Sequence, residues 1–196
     1  MSVVVIDYNA GNTRSVFYAL QRYGIDAVFT KDPQEIRSAS KVIFPGVGEA
    51  STTMAFVREQ GLDKIIPSLT QPVLGICLGM QLMCSWSEEG DTECLGIFEA
   101  KVKRFRPTKG EKVPHMGWNT IFNLDPKLFP KELEQQFVYF VHSYYVEMTS
   151  FTAATTQYCL PFSAAMHRDN FYATQFHPEK SGDVGGRILQ HFLNLP

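Results

Sequence analysis

The chain predicts an α/β fold: a mostly parallel sheet flanked by helices, extended by antiparallel strands. Three observations carry this. Short, continuous apolar runs alternate with helical patterns through the first half, as in Val3-Val4-Val5-Ile6, Val42-Ile43-Phe44 and Val73-Leu74-Gly75-Ile76. A strand that is apolar on both faces is covered on both faces, which is how parallel sheets are built. The second half instead carries strand-like segments separated by turn residues. Finally, 196 residues with 44% hydrophobic content are enough for one domain with its own core, so a single domain over residues 1–196 is expected.

Taken in order, residues 3–6 form the first strand. Residues 11–23 follow as a helix, with Val16, Phe17 and Leu20 on one face and Gly24 closing it. A short strand at 27–29 precedes a short helix at 33–39 that has Pro33 in its first turn. The strand 42–44 enters the loop Pro45-Gly46-Val47-Gly48, and a helix covers about 52–60. The strand 73–76 leads into a helix over 78–86. Strands follow at 96–105, 118–122, 137–147, 152–157, 163–167 and 171–175. A helix over about 184–192 closes the chain.

Chemistry concentrates at two places. Gly75-Ile76-Cys77-Leu78-Gly79 has the spacing of a nucleophile elbow with a thiol at its tip. Gly75 and Gly79 let strand and helix approach around a strained turn. Cys77 then sits at a helix N-terminus, where N–H groups and the helix dipole favour a thiolate and can hold an oxyanion. The second place is Gln175-Phe176-His177-Pro178-Glu179. In an extended segment, residues two apart point the same way, so His177 and Glu179 lie side by side. That suits a base and the carboxylate that orients it. The competing readings are an inert core cysteine and a plain surface turn.

Composition excludes several function classes. Net charge is −2, which does not suit nucleic acid or an anionic membrane as the main partner. The N-terminus lacks a basic region and meets Asp7 too early for a signal peptide, and no apolar run approaches a membrane span. Cys77, Cys84, Cys94 and Cys159 show no pairing or metal-ligand spacing, so no metal or cofactor is expected and a reducing cytoplasm fits best. Cys84, Cys94 and Cys159 read as ordinary buried thiols. The run Lys101, Lys103, Arg104, Arg106, Lys109 and Lys112 reads as a solvated strand face. Trp118 beside Met116 is either core or an interface anchor.

Together, the elbow and the His-Pro-Glu segment resemble the class I, or triad, glutamine amidotransferases, whose hallmark is Cys-His-Glu in this order. Asp7-Tyr8 with Gly11-Asn12, Pro45-Gly46-Val47-Gly48, Pro114-His115-Met116-Gly117-Trp118-Asn119, Tyr139-Phe140-Val141-His142-Ser143-Tyr144-Tyr145 and Gln175-Phe176-His177-Pro178-Glu179-Lys180-Ser181 extend the likeness over nearly the whole chain. The His-Met-Gly-Trp-Asn and Phe-Val-His-Ser-Tyr segments point to the subfamily that supplies ammonia for imidazole glycerol phosphate synthesis in histidine biosynthesis. The resemblance implies a flavodoxin-like core. It implies Cys77, His177 and Glu179 as the catalytic set, and backbone N–H groups of Val47 and Leu78 as the oxyanion hole. It also implies glutamine binding by Gly46, Gly48, Gln81, Glu89, His142, Ser143 and Tyr144.

The implied partner is a (β/α)₈-barrel cyclase, forming a heterodimeric synthase through which ammonia passes. A chain that is slow alone, and activated when the loaded partner reshapes the Val47 loop, is expected. Asn9 and Glu49-Ala50 depart from the usual pattern of that subfamily. The alternatives are a glutaminase of another amidotransferase, a γ-glutamyl peptidase on the same fold, and a non-enzymatic interaction module.

Overall fold

The computed structural model describes residues 2–8, 13–46, 48–108 and 110–196, and the statements below concern those residues. Asn9, Gly11, Asn12, Val47 and Lys109, singled out above, lie outside them. The first half alternates as expected: β1 (Val3–Ile6), α1 (Thr13–Arg22), β2 (Ala27–Thr30), α2 (Pro33–Ser38), β3 (Lys41–Phe44), α3 (Ala50–Glu59), α4 (Leu62–Ile65), β4 (Val73–Ile76) and α5 (Leu78–Leu82). Then come β5 (Cys84–Ser87), β6 (Thr92–Glu93), β7 (Phe98–Arg104), β8 (His115–Thr120), β9 (Phe137–His142) and β10 (Tyr144–Val146). The chain finishes with β11 (Thr152–Gln157), β12 (Pro161–Arg168), β13 (Phe171–Thr174) and α6 (Gly182–Leu193).

The main sheet has the order β11-β12-β13-β4-β3-β1-β2. From β13 to β2 the neighbours run parallel, and β12 and β11 join antiparallel. This is the mostly parallel mixed sheet with an antiparallel extension. Its inner strands β1, β3, β4 and β13 are buried throughout, with alternate side chains packing on opposite faces. Val3, Val5, Ile43, Leu74 and Ile76 pack with Val16, Leu20, Ile188 and Phe192 of α1 and α6. Val4, Ile6, Val42, Phe44 and Val73 pack with Ile36, Met54, Val57 and Leu62 of α2, α3 and α4.

Three expectations are corrected. The helix after the elbow is not 78–86 but stops at Leu82, and Cys84–Ser87 is a strand. Cys, Ser and Trp are weak helix formers. The carbonyls of Leu82, Met83 and Cys84 instead accept from Leu95, Phe98 and Gly96 on the way into β7. The segment 137–147 breaks at Ser143 into two strands in different sheets: β9 pairs with β8, and β10 with β7. The strand placed at 118–122 begins earlier, at His115, because its cross-strand register starts with His115 opposite His142. The second half is thus shared among the main sheet, a four-stranded sheet β10-β7-β5-β6 and the two-stranded β8-β9.

Candidate active site

Cys77 leaves β4 and caps α5 with φ 55° and ψ −109°. A non-glycine residue at positive φ is strained, and such strain persists where surroundings over-determine it. Here the Cys77 N–H donates to the Thr174 carbonyl of β13 at 2.7 Å. The backbone after β3 is pressed against the elbow. A Cβ on Gly79 would lie 2.0 Å from the Phe44 oxygen, and one on Gly46 would lie 2.1 Å from the Gly79 nitrogen. Only glycine fits at either place. Leu78 opens α5, so its N–H has no acceptor a turn earlier in the helix and lies next to the thiol residue. With five residues, α5 is little more than one turn. Its contribution at Cys77 is therefore local N–H groups rather than a long helix dipole.

His177 follows β13 and enters a 3₁₀ turn at Pro178–Lys180. Its Nδ1 lies 2.8 Å from Glu179 Oε1, and both residues are buried. Glu179 is thus the neighbour of the imidazole that the spacing predicted. The turn itself is clamped: Ser181 Oγ donates to the His177 carbonyl at 2.7 Å, and the Tyr139 N–H donates to Ser181 Oγ at 2.9 Å. With Nδ1 engaged, the Nε2 edge remains, buried and without a hydrogen bond in the protein. Burial alone would lower the imidazole. The charges of Cys77 and Glu179, with the Glu179 hydrogen bond, outweigh it, pushing His177 up to about 10.

Cys77 and His177 line a cavity of about 330 Å³ with Gly48, Leu78, Gln81, Glu89, His142, Ser143 and Tyr144. Gly46 is buried beneath the elbow rather than lining the cavity. Glu89 reaches across to accept from the Ala50 N–H at 2.9 Å, and burial raises its carboxyl. Glu49, one of the departures, caps α3 by accepting from the Thr52 N–H at 2.9 Å. Pro114, Val141 and Lys180 also line the cavity, and sequence reading does not assign them there.

A second histidine pair lies behind the wall. His115 Nδ1 is 3.0 Å from His142 Nε2, and His142 Nδ1 is 2.6 Å from the Tyr144 carbonyl. A carbonyl only accepts, so His142 Nδ1 carries the proton and its Nε2 accepts from His115. Both nitrogens of His142 are therefore committed inside the protein. Burial pushes His115 down to about 4 and His142 down to about 3. Gln175, fully buried, is a residue that sequence reasoning missed. It opens the Gln175-Phe176-His177-Pro178-Glu179 motif, but the sequence assigns it no role beyond that of a polar side chain in an apolar run.

Elsewhere, Lys103 pairs with Glu147 and Arg106 with Glu88, as expected of a solvated charged face. Of the other thiols, Cys84 is buried, but Cys94 and Cys159 are partly exposed, which corrects the expectation for those two. Among the described residues no cluster of three or more metal-ligating side chains occurs, and no helix is long and apolar enough to cross a membrane.

The profile of the family "Glutamine amidotransferase class-I" matches residues 4–194. The imidazole glycerol phosphate synthase subunit HisH of Bacteroides fragilis is 64% identical, covering all of both chains. The protein of the same name from Bacteroides thetaiotaomicron is 63% identical, again over all of both. Among solved structures, a putative GMP synthase subunit from Thermoplasma acidophilum superposes with TM-score 0.77 at 19% identity, covering 100% of this chain and 93% of that one. A glutamine amidotransferase crystal structure gives 0.76 at 21% identity, with 99% and 98% covered. At these identities the structures speak to the fold.

Proposed function

The chain belongs to the class-I glutamine amidotransferase family and, within it, to the HisH glutaminase subunits of imidazole glycerol phosphate synthase in histidine biosynthesis; from that premise we propose that Cys77, His177 and Glu179 hydrolyse glutamine and that the ammonia passes directly to a (β/α)₈-barrel cyclase. The observation that carries the reading is the strained Cys77 elbow facing a buried imidazole held by Glu179.

The Cys77 thiolate attacks the glutamine amide carbon, its proton having passed to His177. The Leu78 N–H and the loop containing Val47 hold the resulting oxyanion. Losing one such donor costs about 3 kcal/mol of barrier. The tetrahedral species collapses, breaking the C–N bond as imidazolium gives its proton to the leaving nitrogen. Ammonia departs and a γ-glutamyl thioester remains. Water, deprotonated by His177, attacks the thioester carbon, releasing glutamate and restoring the thiolate–imidazolium pair. Glu179 fixes the imidazole tautomer and stabilises its charge throughout. Gly48, Gln81, Glu89, His142, Ser143 and Tyr144 shape the glutamine site, with Gly46 supporting the elbow from beneath and Glu89 facing the α-ammonium. The ring nitrogens of His142 are engaged inside the protein, so its part in the site is to hold the Tyr144 carbonyl.

The partner docks on the β8–β9 hairpin. Met116 and Trp118 share its outer face with Phe137, all more than half exposed. Such an apolar aromatic patch suits a protein partner. The same hairpin carries Val141 to the cavity mouth, so ammonia would leave at the covered face rather than into water. The chain works as one domain in the cytoplasm, with no cofactor.

Glutamate release from glutamine tests the reading, measured for the chain alone and with the cyclase and its ribonucleotide ligand. Strong activation by the loaded partner, abolished in Cys77→Ala, is expected. Equal rates with and without partner would point to a stand-alone hydrolase instead.

A further inference from the structure

Two hydrogen-bonding groups meet the Cys77 sulfur. The Val141 carbonyl lies at 3.9 Å and the Gln175 carboxamide nitrogen at 3.7 Å. A carbonyl can serve only an S–H, whereas an N–H can serve only the lone pairs or charge on sulfur. Which end of the Gln175 carboxamide faces sulfur therefore decides what it does there.

That orientation follows from a chain of donors and acceptors. The Tyr144 carbonyl can only accept, so Gln81 must turn its NH₂ toward it, at 3.0 Å. The same Gln81 nitrogen lies 2.8 Å from Gln175 Oε1. Gln175 thus points its oxygen at Gln81 and its NH₂ at the sulfur. Reversing the Gln81 amide would face acceptor to acceptor, and reversing Gln175 would face donor to donor, where both side chains are buried. The Tyr144 carbonyl is itself pinned by His142, whose other nitrogen accepts from His115, and Asn119 Nδ2 approaches His115 Nε2 at 3.4 Å. Two runs of donors thus meet at the Tyr144 carbonyl, which accepts from both: one comes from β8 through His115 and His142, and the other starts at Gln81, which also donates through Gln175 toward the sulfur.

We propose that Gln175 holds the Cys77 thiolate by an N–H···S hydrogen bond, that Gln81 is the positioning residue that fixes the direction of that bond, and that His142, backed by His115, holds in place the Tyr144 carbonyl to which Gln81 donates. The inference rests on Cys77 being the nucleophile. Gln175 touches the reacting atom without touching substrate, so its loss acts on the attacking step rather than on glutamine affinity. The bond also keeps sulfur in line with the elbow while His177 moves a proton from its Nε2 edge.

The test is the rate of Cys77 alkylation by iodoacetamide on the full chain, located by peptide mass spectrometry, with glutaminase kcat and KM in the assembled synthase. Gln175→Met removes the donor at similar size. Its expected effect is about tenfold slower alkylation and a matching fall in kcat, with KM within about twofold. Gln175→Glu sets a carboxylate against sulfur and is expected to be slower still. A merely structural role would lower thermal stability or raise KM and leave alkylation of the folded protein unchanged. Unchanged alkylation in whichever of the two variants folds overturns the proposal. A wild-type chain whose Cys77 resists alkylation and whose complex releases no glutamate would instead overturn Cys77 as nucleophile.

Discussion

Two buried pairs lie around the same cavity, His177 with Glu179 and His115 with His142, and their neighbours drive them to opposite charge states. His177 sits against Glu179 and the Cys77 sulfur and is pushed up to about 10. His115 and His142 sit against each other, a carbonyl and aromatic rings, and are pushed down to about 4 and about 3. Desolvation acts alike on both pairs. The difference is a neighbouring negative charge, present in one pair and replaced by a neutral hydrogen bond in the other. One pair therefore carries an extra proton at neutral pH, while the other stays neutral with its tautomers fixed by hydrogen bonds.

Breaking the charged pair has the largest expected effect. His177→Ala should cost roughly 10⁴-fold in glutaminase kcat, and Glu179→Gln about 10³-fold. Because Glu179 raises the imidazole, Glu179→Gln should also move the alkaline limb of the pH–rate profile to lower pH. A limb that stays put would show that the carboxylate does not hold the imidazolium. On the outer face of the neutral pair's hairpin, Trp118→Ala should weaken cyclase binding by about 2 kcal/mol, roughly thirtyfold, measured by calorimetry.

A smaller effect separates the pairs by stability. His177, raised on folding, contributes stability that is complete below about pH 6.5 and fades as pH climbs toward about 10. His115 and His142, lowered on folding, act in the opposite sense: their contribution is complete above about pH 6.5 and fades as pH falls toward about 4 and then about 3. His115→Phe keeps the stacking on Phe140 and Tyr158 but removes one titrating group. Melting temperatures between pH 4 and 7 should therefore fall less steeply for His115→Phe than for wild type. An identical slope would mean that His115 does not report the acid sensitivity. The same variant should lower kcat only about threefold, since it loosens His142 and, through it, the Tyr144 carbonyl to which Gln81 donates.

What could be read without coordinates divides along similar lines. The β/α alternation and the elbow are local: apolar runs, glycine spacing and a proline-stiffened His-Glu pair announce themselves within ten residues. The break at Ser143 and the early end of α5 are not local. Each is decided by where a distant edge, β7 or β8, offers hydrogen bonds. Gln175 was illegible for the same reason. Its partners Gln81 and Cys77 are 94 and 98 residues away in sequence, so nothing near it says which end of the amide points where. Lys180 stood inside a quoted motif, yet only the fold brings it to the cavity wall.

The register of β8 against β9 has a further consequence. Met116 and Trp118 point outward while His115 and Asn119, in alternate positions of the same strand, point toward the histidine pair. A slip of one residue would exchange the two sets at once. It would bury the face proposed for docking and put His115 into water. Recognition and chemistry thus share one mechanical adjustment, and the hairpin works like a key whose teeth and shank are cut from the same blank: misalignment at the docking face and loss of order at the sulfur arrive as a single fault.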